Sequence, residues 1–216
     1  MDSFHLLAFK SESILAFLRK STNSETNLGD YFRNYQGRFF EIFATKSSNV
    51  EFTPWDFLAI NSLSVYPKPE AMNGFLIDRV NEFNSLLRKA HEKVDALHPD
   101  QRMLWTIPPR FLASDNELAN LYEALKSVDG FGYVTASKLL AVKFPDLIPI
   151  RDSKVEKLLQ AQELWWEPMA QVMKNEEIFK ILTDLSDGLQ TKQPRPSLLR
   201  VLDVLLWMRA RELEQT

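Results

Sequence analysis

Apolar residues recur along this chain at spacings of three and four positions, which is the pattern of an α-helix with one buried face. In the first such segment, residues 11–20, three apolar side chains fall on one side: Ile14, Leu15 and Leu18. Few segments alternate polar and apolar residues as a half-buried strand does, and only 6 of the 216 residues are glycine. The pattern therefore predicts an all-α protein.

The same periodicity predicts longer helices over residues 31–44, 54–65 and 75–94. The first of these carries an aromatic stripe: Tyr35, Phe39, Phe40 and Phe43. The last has an apolar face that we expect to point inward: Ile77, Val80, Phe83, Leu86 and Leu87. Proline interrupts such patterns because it lacks an amide hydrogen, so Pro108 and Pro109 predict an irregular connector from Met103 to Phe111.

Polar residues mark two further helix starts. The segment Ser114-Asp115-Asn116-Glu117 has the form of a capping box, in which a serine and a glutamate bond each other's free backbone amides. The helix after it turns four apolar residues inward: Leu118, Leu121, Leu125 and Val128. Near the end of the chain, Ser197 follows two prolines and predicts the N-cap of an apolar core helix that runs to about Leu213.

The composition is that of an ordinary soluble protein, with 45% apolar and 25% charged residues. No stretch approaches the ~20 apolar residues that cross a bilayer, and the N-terminus lacks the features of a secretion signal. The absence of cysteine excludes disulfides, thiolate metal sites and a cysteine-bound iron–sulfur cluster. The formal charge of −3 argues mildly against DNA binding, although the distribution of charge matters more than the sum.

Candidate chemistry is concentrated between residues 128 and 155. Gly130 and Gly132 lie between two predicted helices, and Asp152 precedes a third. Glycine lets the backbone take positive φ angles and approach another molecule closely. A Gly-x-Gly turn at a helix start can therefore direct free amide N–H groups toward an anion such as a phosphate. An aspartate near that phosphate is placed to act on the attached sugar.

This segment resembles the helix-hairpin-helix DNA glycosylase superfamily. The matching residues are the hairpin Gly130-Phe131-Gly132, the helix start Thr135-Ala136 and the aspartate segment Asp152-Ser153-Lys154-Val155. The loop prolines and the 20 positions from the second glycine to the aspartate also match the family. The resemblance covers about residues 114–158; elsewhere it rests on helix content and total length.

The resemblance implies a fold, an activity and a set of site residues. The implied fold is a two-lobed helical unit over residues 1–216, with the helix-hairpin-helix at 114–145 and the catalytic loop and helix start at 146–160. The implied activity is cleavage of the base–sugar bond of a flipped damaged or modified nucleotide. The implied catalytic residue is Asp152, whose ionised carboxylate would stabilise positive charge on the sugar as the base leaves. The implied DNA-binding residues are Gly130, Phe131, Gly132, Tyr133, Val134, Thr135, Lys138, Arg151 and Lys154.

Val134 departs from the family in a way that affects the chemistry. Bifunctional members have a lysine two residues after the second glycine, and this lysine attacks the sugar to form a Schiff base. Valine cannot do so, which implies a monofunctional DNA N-glycosylase without lyase activity. Asp129 also replaces a proline of the family, and its negative charge opposes phosphate binding.

Each candidate also has a purely structural interpretation. The two glycines suit a helix C-cap and tight turn, and Asp152 suits an N-cap that stabilises its helix by about 1 kcal/mol. The basic residues near the hairpin suit a solvated helix face as well as a phosphate footprint: Lys138, Lys143, Arg151, Lys154 and Lys157. Three aromatic residues suit base stacking, but the two tryptophans suit the core better: Tyr133, Trp165 and Trp166. We expect the histidines on the surface: His5, His91 and His98.

Two other functions therefore stay open, a non-catalytic helix-hairpin-helix DNA-binding module and a helical scaffold or interaction protein. The chemistry requires no organic cofactor or metal, although the resemblance implies that the hairpin can hold a monovalent cation. The expected partner is DNA, with no membrane contact. We expect a monomer in the cytoplasm, associated with the nucleoid if the protein is bacterial.

Overall fold

A computed structural model describes residues 7–20, 24–111, 113, 115–161, 165–189 and 194–215, with the backbone alone at residues 24–26. Within these residues every regular element is a helix, which confirms the all-α prediction. None of the helices in this part of the chain has the length and apolar character needed to cross a membrane.

Twelve α-helices form the described fold. In chain order they are α1 (Ser11–Lys20), α2 (Ser24–Asn34), α3 (Phe40–Ala44), α4 (Pro54–Ser62), α5 (Pro69–Asn73), α6 (Val80–Asp95), α7 (Glu117–Lys126), α8 (Tyr133–Lys143), α9 (Ser153–Leu159), α10 (Trp166–Met173), α11 (Glu176–Gly188) and α12 (Leu198–Gln215). The connections include short 3-10 helices, Gln36–Phe39, Pro99–Gln101 and Pro109–Phe111, and a π-helical turn, Gly74–Asp78.

The buried apolar side chains form two cores. The first core lies among α3, α4, α6, α7 and α8, and the second among α1, α2, α9, α10, α11 and α12. Two buried ion pairs, Lys138–Asp152 and Arg200–Glu41, each connect an element of one core to an element of the other. These two pairs therefore place charged groups where the two cores meet.

Phe75 is the centre of the first core. Its ring contacts those of Phe52, Phe57, Phe83 and Phe131, with centroid separations from 4.5 to 5.6 Å. Aromatic pairs at such distances add about 1 kcal/mol each to the effect of burial alone. Because Phe131 lies between the two hairpin glycines, core packing fixes the position of that turn.

The predicted helices at the two ends of the chain are confirmed. The first spans Ser11–Lys20 with Ile14 and Leu18 buried. α12 begins directly after Ser197, whose Oγ accepts a hydrogen bond from the Arg200 N–H at 3.2 Å. Most of α12 is buried, as its apolar sequence indicated.

The prediction of one helix over residues 31–44 is wrong. α2 ends at Asn34, and Tyr35 is extended, with φ −94° and ψ 148°, before a 3-10 helix leads into α3. At Gly37 an added Cβ would stand 1.9 Å from the Tyr31 hydroxyl. The chain turns here so that the Tyr31 hydroxyl and the Gly37 carbonyl both reach Arg200, a contact that the aromatic periodicity does not encode.

The helix predicted over residues 75–94 is interrupted near its start. Residues 74–78 form the π-helical turn, and α6 begins at Val80. Phe83 and Leu87 are buried as predicted, but Ile77 is 71% exposed, so its predicted inward position is wrong. A π-turn holds one more residue than an α-turn, which rotates Ile77 away from the apolar face.

α7 begins later than the capping-box pattern predicted. Asn116 is its N-cap, and the Asn116 Oδ1 accepts hydrogen bonds from the N–H groups of Leu118 and Ala119 at 3.0 Å each. Its Nδ2 also donates to the carbonyls of Arg110 and Ala113, so this one side chain bonds both the helix and the preceding loop. Ser114 lies outside the described residues. The four residues predicted to face inward are buried: Leu118, Leu121, Leu125 and Val128.

His91 contradicts the expectation of surface histidines. Its ring is half-buried and stacks on Phe144 with centroids 4.2 Å apart, and burial lowers the pKa of its imidazole. His98 is exposed, whereas His5 lies outside the described residues. Trp165 is 3% exposed in the second core, which favours its structural interpretation.

Lys143 and Asp56 form an ion pair inside the first core. The Lys143 Nζ lies 2.7 Å from Asp56, and both side chains are 0% exposed. Nζ also donates to the Ser47 Oγ and to the carbonyls of Ser48 and Glu51, at 2.7–2.8 Å. Burial lowers the pKa of the Lys143 ammonium. The pair therefore ties α4 and the loop before it to the end of α8.

Replacing Lys143 with methionine is expected to lower the free energy of unfolding by about 3–5 kcal/mol, because Asp56 then keeps a buried charge without a counter-ion. Urea denaturation followed by circular dichroism measures the loss. Lys126→Met is the matched control, since it removes a partly exposed pair with Glu123 and should change stability by less than about 1 kcal/mol. Similar losses of unfolding free energy in the two variants would contradict the conclusion that the Lys143–Asp56 pair is buried and stabilises the first core.

Candidate functional site

Two apolar side chains hold the turn between α7 and α8 from inside. Val128 and Phe131 are both 8% exposed and pack in the first core. The Phe131 N–H donates to the Val128 carbonyl at 2.9 Å. Gly130 has a φ of +78°, which glycine adopts without strain. The turn thus has a fixed conformation in which both glycines are exposed.

The start of α8 carries backbone amides that make no helical hydrogen bond. The first helical hydrogen bond runs from the Ala136 N–H to the Gly132 carbonyl at 2.9 Å, so the amides of residues 133–135 precede the helical ladder. Among the described residues no acceptor lies opposite these three amides. A Cβ at Gly132 would meet no atom within 4 Å. An anion site at a helix start requires this arrangement, and the helix dipole adds about half a positive charge there.

The side chains nearest the turn are bonded to one another. Tyr133 is 37% exposed, and its hydroxyl donates to the Glu156 Oε2 at 2.7 Å. This bond raises the pKa of Tyr133. The Arg151 guanidinium lies 4.5 Å from the centre of the Tyr133 ring and donates to the Glu156 Oε1 at 2.5 Å. Glu156 thereby offsets the positive charge nearest the hairpin.

The lysines predicted to bind DNA are also held in ion pairs. Lys154 pairs with Glu214 of α12, and Lys138, at 3% exposure, pairs with Asp152. The side chains of Lys138, Phe131 and Thr135 are buried in this conformation, so a DNA contact by these three residues would have to come from their backbone. What remains at the hairpin is chiefly the backbone amides and the exposed Tyr133.

Asp152 caps α9 through one carboxylate oxygen and pairs with Lys138 through the other. Its Oδ1 accepts a hydrogen bond from the Lys154 N–H at 3.0 Å, which makes it the N-cap of α9. Its Oδ2 accepts one from the Lys138 Nζ at 2.8 Å, and that nitrogen also donates to the Leu63 carbonyl at 3.1 Å. The Asp152 side chain is 16% exposed and lines a cavity. The carboxylate is therefore fixed in position and still accessible.

That cavity has a volume of about 350 Å³ and lies between the two cores. Leu63, Val65 and Ile150 line it from the first core, and Tyr31, Tyr35 and Trp207 from the second. The Tyr31 and Tyr35 rings stack at 5.5 Å, and Trp207 meets Tyr35 edge-on at 5.7 Å. The charged groups on its walls are Lys138, Asp152, Lys154, Arg200 and Asp203. Val134, in the first turn of α8, also lines it.

The sequence interpretation missed Arg200 and Asp203, because α12 was treated as a wholly apolar helix. Arg200 donates to the Tyr31 hydroxyl at 2.6 Å, to the Glu41 Oε1 at 3.1 Å and to the Gly37 carbonyl at 3.3 Å, and it pairs with Asp203. The available signal was an arginine and an aspartate three positions apart inside an apolar helix, a spacing at which side chains meet. Tyr31, Gly37 and Glu41 carried no such signal.

Burial also changes the acidity of this network. Burial raises the pKa of Asp203 to about 6, which Arg200 only partly offsets, and the nearby Asp152 adds to the rise. Two carboxylates, Asp152 and Asp203, thus face one cavity together with the Lys138 ammonium. Such a set can stabilise developing positive charge and orient water. In the described part of the chain, no group of three or more acidic or histidine side chains is placed to hold a metal ion.

Asp203→Asn is expected to alter the pH dependence of folding stability. Because the folded-state pKa of about 6 lies above the ordinary 3.8, the stability contributed by the bound proton is lost as pH rises through this interval. Asparagine does not titrate. As pH rises from about 4 to about 7, the free energy of unfolding of the variant should therefore increase by up to about 3 kcal/mol relative to that of the wild type. Urea denaturation of both proteins tests this, with the lower pH as internal reference. A pH-independent difference would contradict the raised pKa.

Comparisons with the curated proteins and with the solved structures find no match for this chain. A family model does match, over residues 24–210, a range that includes the hairpin, Asp152 and the Arg200–Asp203 pair. Because this match covers most of the sequence, the chain belongs to the family of unknown function DUF6308.

Proposed function

We propose that this protein is a monofunctional DNA N-glycosylase, which hydrolyses the base–sugar bond of a flipped nucleotide and leaves an abasic site. The observation that carries the proposal is that Val134, in the first turn of α8 directly after the hairpin, lines the cavity together with Lys138 and Asp152. Val134 and Lys138 are four residues apart in α8, and four residues of helix rise only about 6 Å. A phosphate bound at the free amides of α8 therefore brings its sugar close to the Asp152 carboxylate.

Asp152 acts on the sugar in this proposal. As the bond between the sugar C1′ and the base nitrogen breaks, the carboxylate stabilises the positive charge on the deoxyribose. The base departs with the electron pair of the broken bond, a water oxygen bonds to C1′, and the proton that this water loses balances the one that the base takes up. Lys138 is a positioning residue, since its Nζ holds the Asp152 Oδ2 at 2.8 Å and balances its charge.

The aromatic wall of the cavity suits the departing base. Enzymes that act on a flipped base commonly stack it against aromatic side chains, and Tyr35 and Trp207 offer rings at this cavity. A volume of about 350 Å³ lies within the usual range for small-molecule sites. Valine at position 134 supports hydrolysis by water, because it offers no amine at the position where bifunctional members carry a lysine.

A helical scaffold or interaction protein is the second candidate. The ion pairing of Lys138, Arg151 and Lys154 favours it, because DNA affinity depends strongly on cations that neutralise phosphates. In that case Asp152 serves only as an N-cap and as the partner of Lys138.

The decisive variant removes the charge of Asp152 without leaving Lys138 unbalanced. Asparagine alone preserves the N-cap but leaves an unpaired ammonium at 3% exposure, which destabilises the fold. The double variant Asp152→Asn/Lys138→Gln removes both charges. We expect it to fold and bind DNA as the wild type does, while base release falls by at least about a hundredfold.

Single-turnover assays on duplexes that each carry one damaged or modified base, followed by alkaline cleavage at abasic sites, measure base release. Arg19→Gln/Glu177→Gln is the control, since it removes an exposed pair between α1 and α11 and should leave release unchanged. Equal release by the wild type and the Asp152 double variant would exclude the assigned role. DNA binding by the wild type without release from any duplex would favour the non-catalytic helix-hairpin-helix DNA-binding module.

Gly132→Ala tests the hairpin separately. The residue is extended, with φ −137°, and its Cβ would contact nothing in the protein, so the fold should be kept. Alanine caps a helix less well than glycine, which costs about 1 kcal/mol of stability. The methyl group would occupy the space in front of the free amides. We therefore expect DNA affinity to fall about tenfold for every sequence, as measured by fluorescence anisotropy. Gly188→Ala, also in open space, is the matched control. Unchanged affinity in Gly132→Ala would support the scaffold alternative.

A further inference from the structure

One face of α12 follows the wall of the cavity that Asp152 lines (the Asp152 cavity). Arg200, Asp203 and Trp207 contribute to this wall. Side chains three or four positions apart lie on the same face of a helix, so Arg211 continues this face one turn after Trp207. Arg211 is only partly buried, whereas Arg200 is 5% exposed. The polar face of α12 therefore leads from a buried arginine to one that is closer to solvent.

Two aromatic rings of the cavity wall hold the Arg211 guanidinium. Its central carbon lies 4.7 Å from the centre of the Tyr35 ring and 5.7 Å from that of the Trp207 ring. Tyr35 in turn stacks on Tyr31, with ring centres 5.5 Å apart, which fixes the Tyr35 ring. A guanidinium held against aromatic rings has less conformational freedom to lose when it binds a ligand. The cation is thus positioned in advance beside the cavity.

The N–H donors of Arg211 are free. Its guanidinium makes no hydrogen bond and no ion pair with any residue that the structure describes, and its nitrogens are not buried. Neighbouring cations are paired instead: Arg209 lies 3.3 Å from Glu212, and Lys154 pairs with Glu214. Each of these pairs is neutral, so Arg211 adds one uncompensated positive charge beside the cavity.

We infer that Arg211 binds a phosphate group of the ligand that enters the Asp152 cavity. The planar guanidinium presents paired N–H donors that match two phosphate oxygens, and such charge-assisted hydrogen bonds are the stronger ones. A cation beside aromatic rings also suits nucleic acid, since rings stack on bases while the cation holds the backbone. The inference rests on the proposed function for the source of the phosphate, which is the DNA strand that carries the flipped nucleotide. The free amides of α8 and Arg211 then hold different phosphates of that strand.

Salt dependence of DNA binding tests this contact. Fluorescence anisotropy measures the Kd of the full chain for a duplex that carries one unpaired nucleotide. We expect Arg211→Gln to weaken binding about tenfold and to lower the slope of log Kd against log salt concentration by about 0.9, the value for one lost phosphate contact. Arg211→Lys keeps the charge and should keep the slope. Arg209→Gln is the matched control, because it lowers the net charge equally but removes an arginine that already pairs with Glu212.

Isothermal titration calorimetry with thymidine monophosphate and thymidine separates two sources of the phosphate, DNA and a free nucleotide. If DNA is the source, only DNA binding should depend on Arg211, and the two small probes should bind equally weakly. A wild type that does not bind DNA but prefers thymidine monophosphate, with the preference lost in Arg211→Gln, would support the phosphate site and exclude the proposed function.

Two results would overturn the inference. One is an unchanged DNA affinity and salt slope in Arg211→Gln together with equal binding of the small probes, which leaves the role of Asp152 to the base-release assay. The other is an equal loss of slope in Arg211→Gln and Arg209→Gln, since the effect would then come from net charge alone. A wild type that binds neither DNA nor thymidine monophosphate would overturn both this inference and the proposed function.

Discussion

A buried guanidinium on α12 determines how the two cores are joined. Arg200 is 5% exposed, and its acceptors come from α2, the 3-10 turn, α3 and α12. Desolvating an arginine is costly, so this position is stable only while most of its donors are satisfied. The four elements are therefore coupled through one side chain. The break in the helix predicted over residues 31–44 follows from this requirement, since Gly37 must lie against Tyr31.

α8 is the second organising element, because its two ends have opposite properties. Its N-terminus is exposed and carries free amides, whereas nine of its residues, including Lys138 and Lys143, are buried. Each of these lysines holds a carboxylate from a distant part of the chain, Asp152 and Asp56 respectively. A rigid, internally anchored helix thus presents the hairpin amides at a fixed position beside the Asp152 cavity. Preorganisation of this kind is what electrostatic stabilisation of a transition state requires.

The charge pattern explains why the proposed DNA contact at the hairpin rests on the backbone. The basic residues near the hairpin gave that segment a local positive bias, but Lys138, Lys143, Arg151 and Lys154 all pair with carboxylates in the fold. Little positive side-chain charge is then left at the hairpin for the phosphates, in keeping with a formal charge of −3. Amides at a helix start do not depend on that balance, because their partial charge comes from the peptide groups themselves.

The sequence by itself determined the features that depend on neighbours a few residues away. These are the all-α class, the limits of α1, the start of α12 after Ser197, the Gly130–Gly132 turn and the capping position of Asp152. Helical periodicity and capping are local, so a single sequence displays them. Only the tertiary structure decided that Lys138 holds Asp152, that Lys143 holds Asp56 and that Arg200 holds Glu41, pairs separated by 14, 87 and 159 positions. Helix packing and the energetic penalty for an unpaired buried charge determine these partners. Neither produces a periodic pattern in the sequence.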